Sequence, residues 1–379
     1  MSRHIQTSPI TNRWGAVTPR HPRVEHFQVY GGVPGAAYSH QAQLTSHHGR
    51  LYATWTLGIR EEEGPGEHMV LATSDDHGET WSPPIMVARA RPGQFAATIV
   101  VSTGLRVVGD RLIAYYGEWE RAVVGMTPAG WRTESQVPEI LLNNHTAVCI
   151  SRDGGLTWDD RHTIIAGQTG YMTPSPTARG RLILPGHLTY PYTDDLLGMT
   201  GWKRAAVPGL PADFEDTYFS VVNGVRPACV DHLYNEASFF QTDAGVLHMM
   251  LRTEDVRLLG VTTSCDNGVT WSTPVLTDYT DCIGRPHFGR LPDGRYFGMT
   301  CPGASRTPAV LALSEDGVVF DRHYIIGNEP DRGPRVPGFG KSGRYGYPYL
   351  HVAGAYGFVI YSVAKEDIGI GRFKLADLS

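Results

Sequence analysis

A chain of 379 residues with 41% hydrophobic content and 44 glycines can bury a large core while turning often, which suits many short strands. Its formal net charge of −5 and lack of any basic run argue against a nucleic-acid partner, and no apolar stretch is long enough to span a membrane. Five cysteines (Cys149, Cys229, Cys265, Cys282, Cys301) without C-x-x-C spacing exclude an even disulfide frame or a zinc knuckle and read as reduced thiols.

The first 25 residues read as an N-terminal extension. They carry Arg and Pro but no apolar h-region, so no secretory leader is visible and a cytoplasmic address is expected. His26 to Tyr30 reads as a short strand. Hairpin signals then follow one another. QAQLTSHHGRLYATWTLG starts at Gln41, and the next apolar run ends in the turn SDDHGETW (Ser74 to Trp81). TIVVSTGLRVVGDRLIAYYGEWE starts at Thr98, with the turn SRDGGLTW at Ser151 to Trp158. SPTARGRLILPGHLTY starts at Ser175, and ASFFQTDAGVLHMMLRTED at Ala237 leads to SCDNGVTW at Ser264 to Trp271. PHFGRLPDGRYFGMTCPG from Pro286 leads to a worn copy, SEDGVVF, at Ser314 to Phe320. PYLHVAGAYGFVIYSVAKED from Pro348 precedes a last strand, DIGIGRFKLADL.

The repeated phrase has a physical logic: its Asp accepts backbone N–H bonds of the turn, its Gly takes a conformation closed to other residues, and its Trp packs the turn onto the sheet. Repetition at this spacing predicts an all-β protein, a single β-propeller over 1–379 with six four-stranded blades. Segments 118–144 and 203–233 leave room for a seventh. The last strand lacks a partner, and His26 to Tyr30 would close the ring.

In such a blade the innermost strand starts, and the second strand ends, at one common mouth. There the sequence places Tyr38-Ser39-His40, Arg60 to Glu63, Tyr115 to Glu118, His187, Tyr190 to Asp195, Asn235-Glu236, Arg252 to Asp255, Arg285-Pro286-His287, Ser305-Arg306, Tyr345 to Tyr347 and Lys365 to Asp367. These are residue types of acid/base and carboxylate-binding chemistry. Arg252, Arg285 and Arg306 are candidates for holding a sugar carboxylate, since a planar guanidinium matches its two oxygens. Several mouth features also have plainer readings. His40 could be a hydrogen-bonded strand-start residue, Glu61 to Glu63 a solvated loop, and Trp119, Trp131, Tyr171 and Tyr192 loop anchors rather than sugar platforms. His47-His48 resembles a metal pair but falls in a solvent-facing turn, so no metal site is assigned. Asp194-Asp195 could ligate a structural calcium; no other cofactor is expected.

The eight-residue phrase resembles the Asp-box, or bacterial neuraminidase repeat, of sialidase-like β-propellers, a family that includes sialidases, rhamnosidases, polysaccharide lyases, arabinanases and binding proteins. The resemblance implies an oligosaccharide partner and boxes on the face away from the active site. In sialidases a Glu activates a Tyr nucleophile, Arg residues hold the substrate carboxylate, and an acid sits in the first-blade loop. By motif these roles fall on Glu236, Tyr347, Arg252, Arg306 and one of Glu61, Glu62 or Glu63. This chain departs from that pattern at Ser39-His40-Gln41, where sialidases carry Arg-Ile-Pro.

A second resemblance, carried by YSHQAQ (38–43), EEEGPGEHMVLATSDD (61–76), YPYTDDLLGMTGWK (190–203), FGRLPDGRYF (288–297) and RTPAVLALSEDGVVFDRHYIIG (306–327), is to the α-L-rhamnosidase and L-rhamnose-α-1,4-D-glucuronate lyase group. It implies cleavage of the rhamnosyl-glucuronate linkage by β-elimination or hydrolysis. In the elimination, Arg252 or Arg285 would neutralise the uronate carboxylate, His40 or His287 would take the C5 proton, and Tyr116, Tyr190 or another His would protonate the leaving oxygen. His187, Tyr190, Glu63 and Arg306 complete the expected substrate-binding set. An exo-α-sialidase is the second expectation and a non-catalytic glycan-binding propeller the third.

Overall fold

Short apolar runs punctuated by Gly, Asn and Asp pair with their sequence neighbours, because a two-residue turn is the shortest link between antiparallel strands. The computed structural model describes residues 8–123, 139–214 and 226–379. These residues form six antiparallel sheets, taken in chain order around a ring, and the molecule is a six-bladed β-propeller.

The first blade holds β2 (Tyr38–His47), β3 (Arg50–Gly58), β4 (His68–Ser74) and β5 (Ile85–Ala88). The second holds β6 (Ile99–Val108), β7 (Arg111–Val123), β8 (Glu139–Ser151) and β9 (His162–Ala166). In the third, β10 (Ser175–Pro176), β11 (Leu182–Ile183) and β12 (Tyr192–Thr193) make a three-stranded sheet. The fourth is β13 (Tyr234–Gln241), β14 (Leu247–Thr253), β15 (Leu258–Ser264) and β16 (Val275–Thr280), and the fifth β17 (His287–Arg290), β18 (Tyr296–Thr300), β19 (Ala309–Ser314) and β20 (Arg322–Gly327). The sixth takes β21 (Gly346–Ala353), β22 (Tyr356–Val363) and β23 (Asp367–Lys374) from the C-terminal end and β1 (Glu25–Tyr30) from the N-terminal end. β1 runs antiparallel to β23, with Glu25 opposite Arg372 and Phe27 opposite Ile370.

Two details differ from the sequence expectation. The third blade has three strands rather than four, since Pro174, Pro176, Pro185 and Pro191 remove ladder donors and keep its strands at two residues each. Isolated bridges from Tyr192 to Lys203 and Thr189 to Ala206 continue the sheet in place of a fourth strand. In segment 118–144 the described residues lengthen β7 and β8 instead of adding a pair of strands. Residues 124–138, with Trp131, and 215–225 lie outside the described residues.

Facing sheets bury apolar side chains between neighbouring blades. Leu71 and Met69 of the first blade pack with Leu112, Ala114 and Tyr116 of the second, and Leu311 and Leu313 of the fifth with Val359 and Tyr361 of the sixth. Among the described residues no helix is long and apolar enough to cross a membrane.

The repeated turns link third to fourth strands. In each intact copy the Asp carboxylate accepts the Thr backbone N–H at 2.9 Å: Asp76 from Thr80, Asp153 from Thr157, Asp266 from Thr270. The Thr hydroxyl donates to the second carboxylate oxygen at 2.5 Å in all three. Gly78, at φ +84°, occupies a region that favours glycine, and Trp81 Nε1 donates to its carbonyl. The third blade carries a disguised copy. Asp195 accepts N–H bonds from Leu197, Met199 and Thr200, and Trp202 Nε1 donates to Gly198 O at 2.9 Å. One residue inserted between Asp and Gly, and another between Thr and Trp, hid it from the repeat pattern. Asp195 thus accepts the bonds of its own turn, and Asp194 pairs with Arg181 at 2.7 Å.

The Thr hydroxyl and backbone bonds hold the Asp76 and Asp153 carboxyls down at about 2. A carboxyl depressed in the folded state contributes stability that is present above its unfolded value, near 3.8, and is lost as the pH falls through about 2. Asp76→Ala and Asp153→Ala will therefore lower the melting temperature at neutral pH, and the gap from the parent protein will close as the melts are repeated toward pH 2.

Candidate active site

Four of the six innermost strands share one irregularity near the mouth. β2 slips register between His40 and Gln43, β6 between Ser102 and Gly104, β13 between Tyr234 and Ala237, and β21 between Gly346 and Tyr349. A bulge re-aims the side chains it spans, and here it delivers His40, Glu236 and Tyr347. Tyr347, Gln41, Glu63 and Lys365 all sit at positive φ, between +50° and +55°, a strained backbone for residues with side chains.

At the centre is Arg252, from the end of β14. Its Nη1 donates to Glu236 Oε2 and to the Tyr347 hydroxyl, each at 2.7 Å, and its Nη2 reaches Glu254. Glu254 is steadied by Asn235 Nδ2 at 2.6 Å. Two more guanidiniums flank the same ring: the Cζ of Arg285 lies 4.8 Å from the Tyr347 centroid and that of Arg306 5.0 Å. Arg285 is buried, and its Nη1 donates to the Tyr171 carbonyl. Among the described residues, neither Arg285 Nη2 nor Arg306 Nη1 has a hydrogen-bond partner.

Burial works to raise the Glu236 carboxyl, but Arg252, Arg285, the Tyr347 hydroxyl and nearby His187 outweigh it and hold it below the ordinary range. Burial drives the Tyr347 phenol well up, helped by the charge of Glu236 and opposed by Arg252 and Arg306. The resting pair is thus an ionised Glu236 and a neutral Tyr347. His40 stacks against Tyr347 with centroids 4.2 Å apart, and its Nδ1 meets Ser362 Oγ at 2.7 Å. Burial first, then the cations Lys365, Arg306, Arg285 and Arg252, push its pKa well down, so the imidazole is neutral. Its Nε2 has no partner among the described residues.

The first-blade acids separate by partner. Glu61 pairs with Arg60 at 2.8 Å, and Glu63 faces Arg121 at 3.8 Å. Glu62 pairs with buried Lys365 and bears electrostatically on Tyr347, so it rather than Glu63 belongs to the centre. Lys365 itself, in the turn between β22 and β23, is a site residue that the motif reading passed over; its place in the strand-end list was the available signal. His187 is buried, stacked on Tyr171 at 4.7 Å beside Glu236.

Three sequence candidates fall elsewhere. Tyr116 is buried between the first two blades with its hydroxyl on Cys149 Sγ at 3.5 Å, and burial raises its pKa. Tyr190 is buried against Trp271 and donates to the His187 carbonyl at 3.1 Å. His287 lies below the mouth, stacked on Tyr349 at 3.9 Å, accepting the Leu350 N–H and held down at about 3 by burial. Tyr116 on β7 and His287 on β17 follow strand alternation, which turns neighbouring residues to opposite faces. Trp119 likewise is buried against Ile99 and Val101, and Tyr192 lies under Arg181 at 4.4 Å.

Comparison with curated proteins returns no match. Among solved structures, one called a sialidase aligns with 98% of this chain at 19% identity and TM-score 0.63, and this chain spans only 34% of its length. A Hadza microbial sialidase aligns over 93% of this chain and 68% of its own at 15% identity and TM-score 0.67. The intramolecular trans-sialidase from Ruminococcus gnavus, in complex with oseltamivir carboxylate, aligns over 93% and 97% at 13% identity and TM-score 0.62. At such identities the likeness is one of fold. Residues 49–359, most of the chain, match the family profile described as the BNR repeat-like domain. Sequence profile, repeated turns and six-bladed ring agree, and the chain belongs to the BNR repeat-like domain family.

Proposed function

We propose that the protein is an exo-acting glycosidase that removes a terminal carboxylated sugar from an oligosaccharide, with Tyr347 as nucleophile. The observation that carries this reading is the shared contact of Glu236 and Tyr347 on Arg252 Nη1. It couples a proton acceptor to a phenol and orients both. A neutral phenol can approach an anomeric carbon bearing a carboxylate, where a charged nucleophile would be repelled.

In the first step the Tyr347 oxygen forms a bond to the anomeric carbon while its proton passes to Glu236. The glycosidic bond breaks, and the leaving oxygen takes the proton held by the Lys365–Glu62 pair. In the second, the Lys365–Glu62 pair takes a proton from water, the water oxygen bonds to the anomeric carbon as the bond to the Tyr347 oxygen breaks, and the phenol regains its proton from Glu236. Arg306 and Arg285, stacked on the nucleophile's ring, would hold a carboxylate one bond from the reacting carbon. That placement favours a 2-ulosonic acid such as a sialic acid, and the sialidases among the structural neighbours support the same class.

His40 supports a second reading, elimination or hydrolysis at L-rhamnose-α-1,4-D-glucuronate. Its neutral imidazole offers an unengaged Nε2 beside Tyr347 and stands where sialidases place Arg. Incubation with an α-sialoside and with a rhamnosyl-glucuronate oligosaccharide, read by mass spectrometry and ultraviolet absorbance, separates the two. Sialic acid release is expected. An unsaturated uronate or free rhamnose in its place would replace the first reading with the second, and binding without turnover would leave a glycan-binding propeller.

A further inference from the structure

On the face opposite the mouth, two adjacent hairpins meet. The β2–β3 turn is His48-Gly49, closed by the pair His47 and Arg50, and the β6–β7 turn is Gly109-Asp110, closed by Val108 and Arg111. His48, Gly49 and Gly109 have φ of +50°, +81° and +59°, the left-handed positions that two-residue turns require. These tight turns end long, paired strands of neighbouring blades, so they are fixed relative to each other. Blade contact is reinforced higher up, where the Ser102 N–H donates to Thr56 Oγ1 at 2.9 Å.

The consequence is a convergence of three donors. His48 Nε2 lies 3.2 Å from Asp110 Oδ1 and His47 Nε2 4.0 Å from the same oxygen. The three donor atoms all fall within 4.8 Å of one another, and the two rings stand with centroids 3.8 Å apart. Bond lengths of about 2.0–2.2 Å around a tetrahedral ion place its donors roughly 3.4 Å apart. One short contact already matches, and the others close by rotation of His48 and Asp110, whose side chains are 75% and 92% exposed. His47, only 15% exposed, is the anchor.

We infer that His47, His48 and Asp110 form a binding site for a borderline divalent transition-metal ion of the zinc class, which ties the first blade to the second on the face away from catalysis. Two imidazole nitrogens and one carboxylate oxygen suit such an ion better than calcium or magnesium, which take oxygen ligands. Three protein donors leave at least one position to water. The site is structural: it lies on the face opposite Tyr347 and supplies none of the groups that surround that residue. An ion held there binds the folded chain and not the unfolded one, so it raises the melting temperature with metal concentration.

The test uses the full chain, stripped with a chelator and titrated with zinc chloride by calorimetry, with visible spectra of the cobalt-loaded form as a second readout. One ion per chain is expected, with binding weakened more than ~10-fold in each of His48→Ala and Asp110→Asn, since losing an outer partner alone costs that much. His162→Ala, which removes an exposed imidazole on β9, should bind like the parent. Both test residues are exposed, so melts in chelator should match the parent and show that the variants fold. Absence of stoichiometric binding overturns the inference. So does binding that survives His48→Ala or Asp110→Asn, because the three-donor site needs both.

Discussion

Tyr347→Phe will lower kcat on the carboxylated glycoside by at least ~10³-fold while leaving a folded protein, since it removes one oxygen and no packing volume. The lost bond to the Arg252 guanidinium costs about 1.5–3 kcal/mol of stability, too little to unfold a chain of this size. Glu236→Gln should fall by ~10² to 10⁴, the range for removing a proton acceptor whose hydrogen-bonding shape is kept. Substrate affinity, measured by calorimetry with the inactive Tyr347→Phe protein, should stay near the parent's KM. Retention of turnover in Tyr347→Phe would sink the nucleophile assignment and return attention to His40.

Arg285→Met carries the second large effect, and its two readouts move in opposite directions. A carboxylate bridging Arg285 and Arg306 loses a buried charge-assisted contact, which costs ~2–5 kcal/mol, roughly 30- to 5,000-fold in kcat/KM. The resting protein should be no less stable, because Arg285 is a buried guanidinium with no carboxylate within ion-pair reach among the described residues. Burial lowers its pKa, and Glu236, the nearest counter-charge, only offsets this in part. An unchanged or raised melting temperature alongside lost activity is therefore expected. The gap between parent and variant should collapse on a substrate whose carboxylate is replaced by a carboxamide. A variant that loses stability and keeps kcat/KM would make Arg285 a structural clamp for Tyr171.

Much of the fold was legible because turn chemistry is local. Ser, Asp, Gly, Thr and Trp at constant spacing can make their mutual hydrogen bonds whatever surrounds them, so the three intact boxes announced their hairpins. The box at Asp195 escaped because two inserted residues broke the spacing while the hydrogen bonds survived. The site was legible in part. Glu236, Arg252, Arg306 and Tyr347 lie at strand ends, where topology alone sends them to one mouth. Tyr116, Tyr190 and His287 lie on strands or short extended segments too, but which side of a sheet a residue faces depends on register. The bulges that set register are invisible in a pattern of residue types.

Taken by itself, the sequence determined the all-β class, the repeat, the hairpin turns and the pool of charged residues at strand ends, since each rests on interactions among residues close in the chain. Only the tertiary structure decided which of Glu61, Glu62 and Glu63 faces Tyr347, that Lys365 pairs with Glu62, that Arg285 is buried with no carboxylate in ion-pair reach among the described residues, and that Asp110 joins His47 and His48. Those facts depend on contacts across tens to hundreds of residues. Closing the ring sets such distances, and no local propensity encodes them.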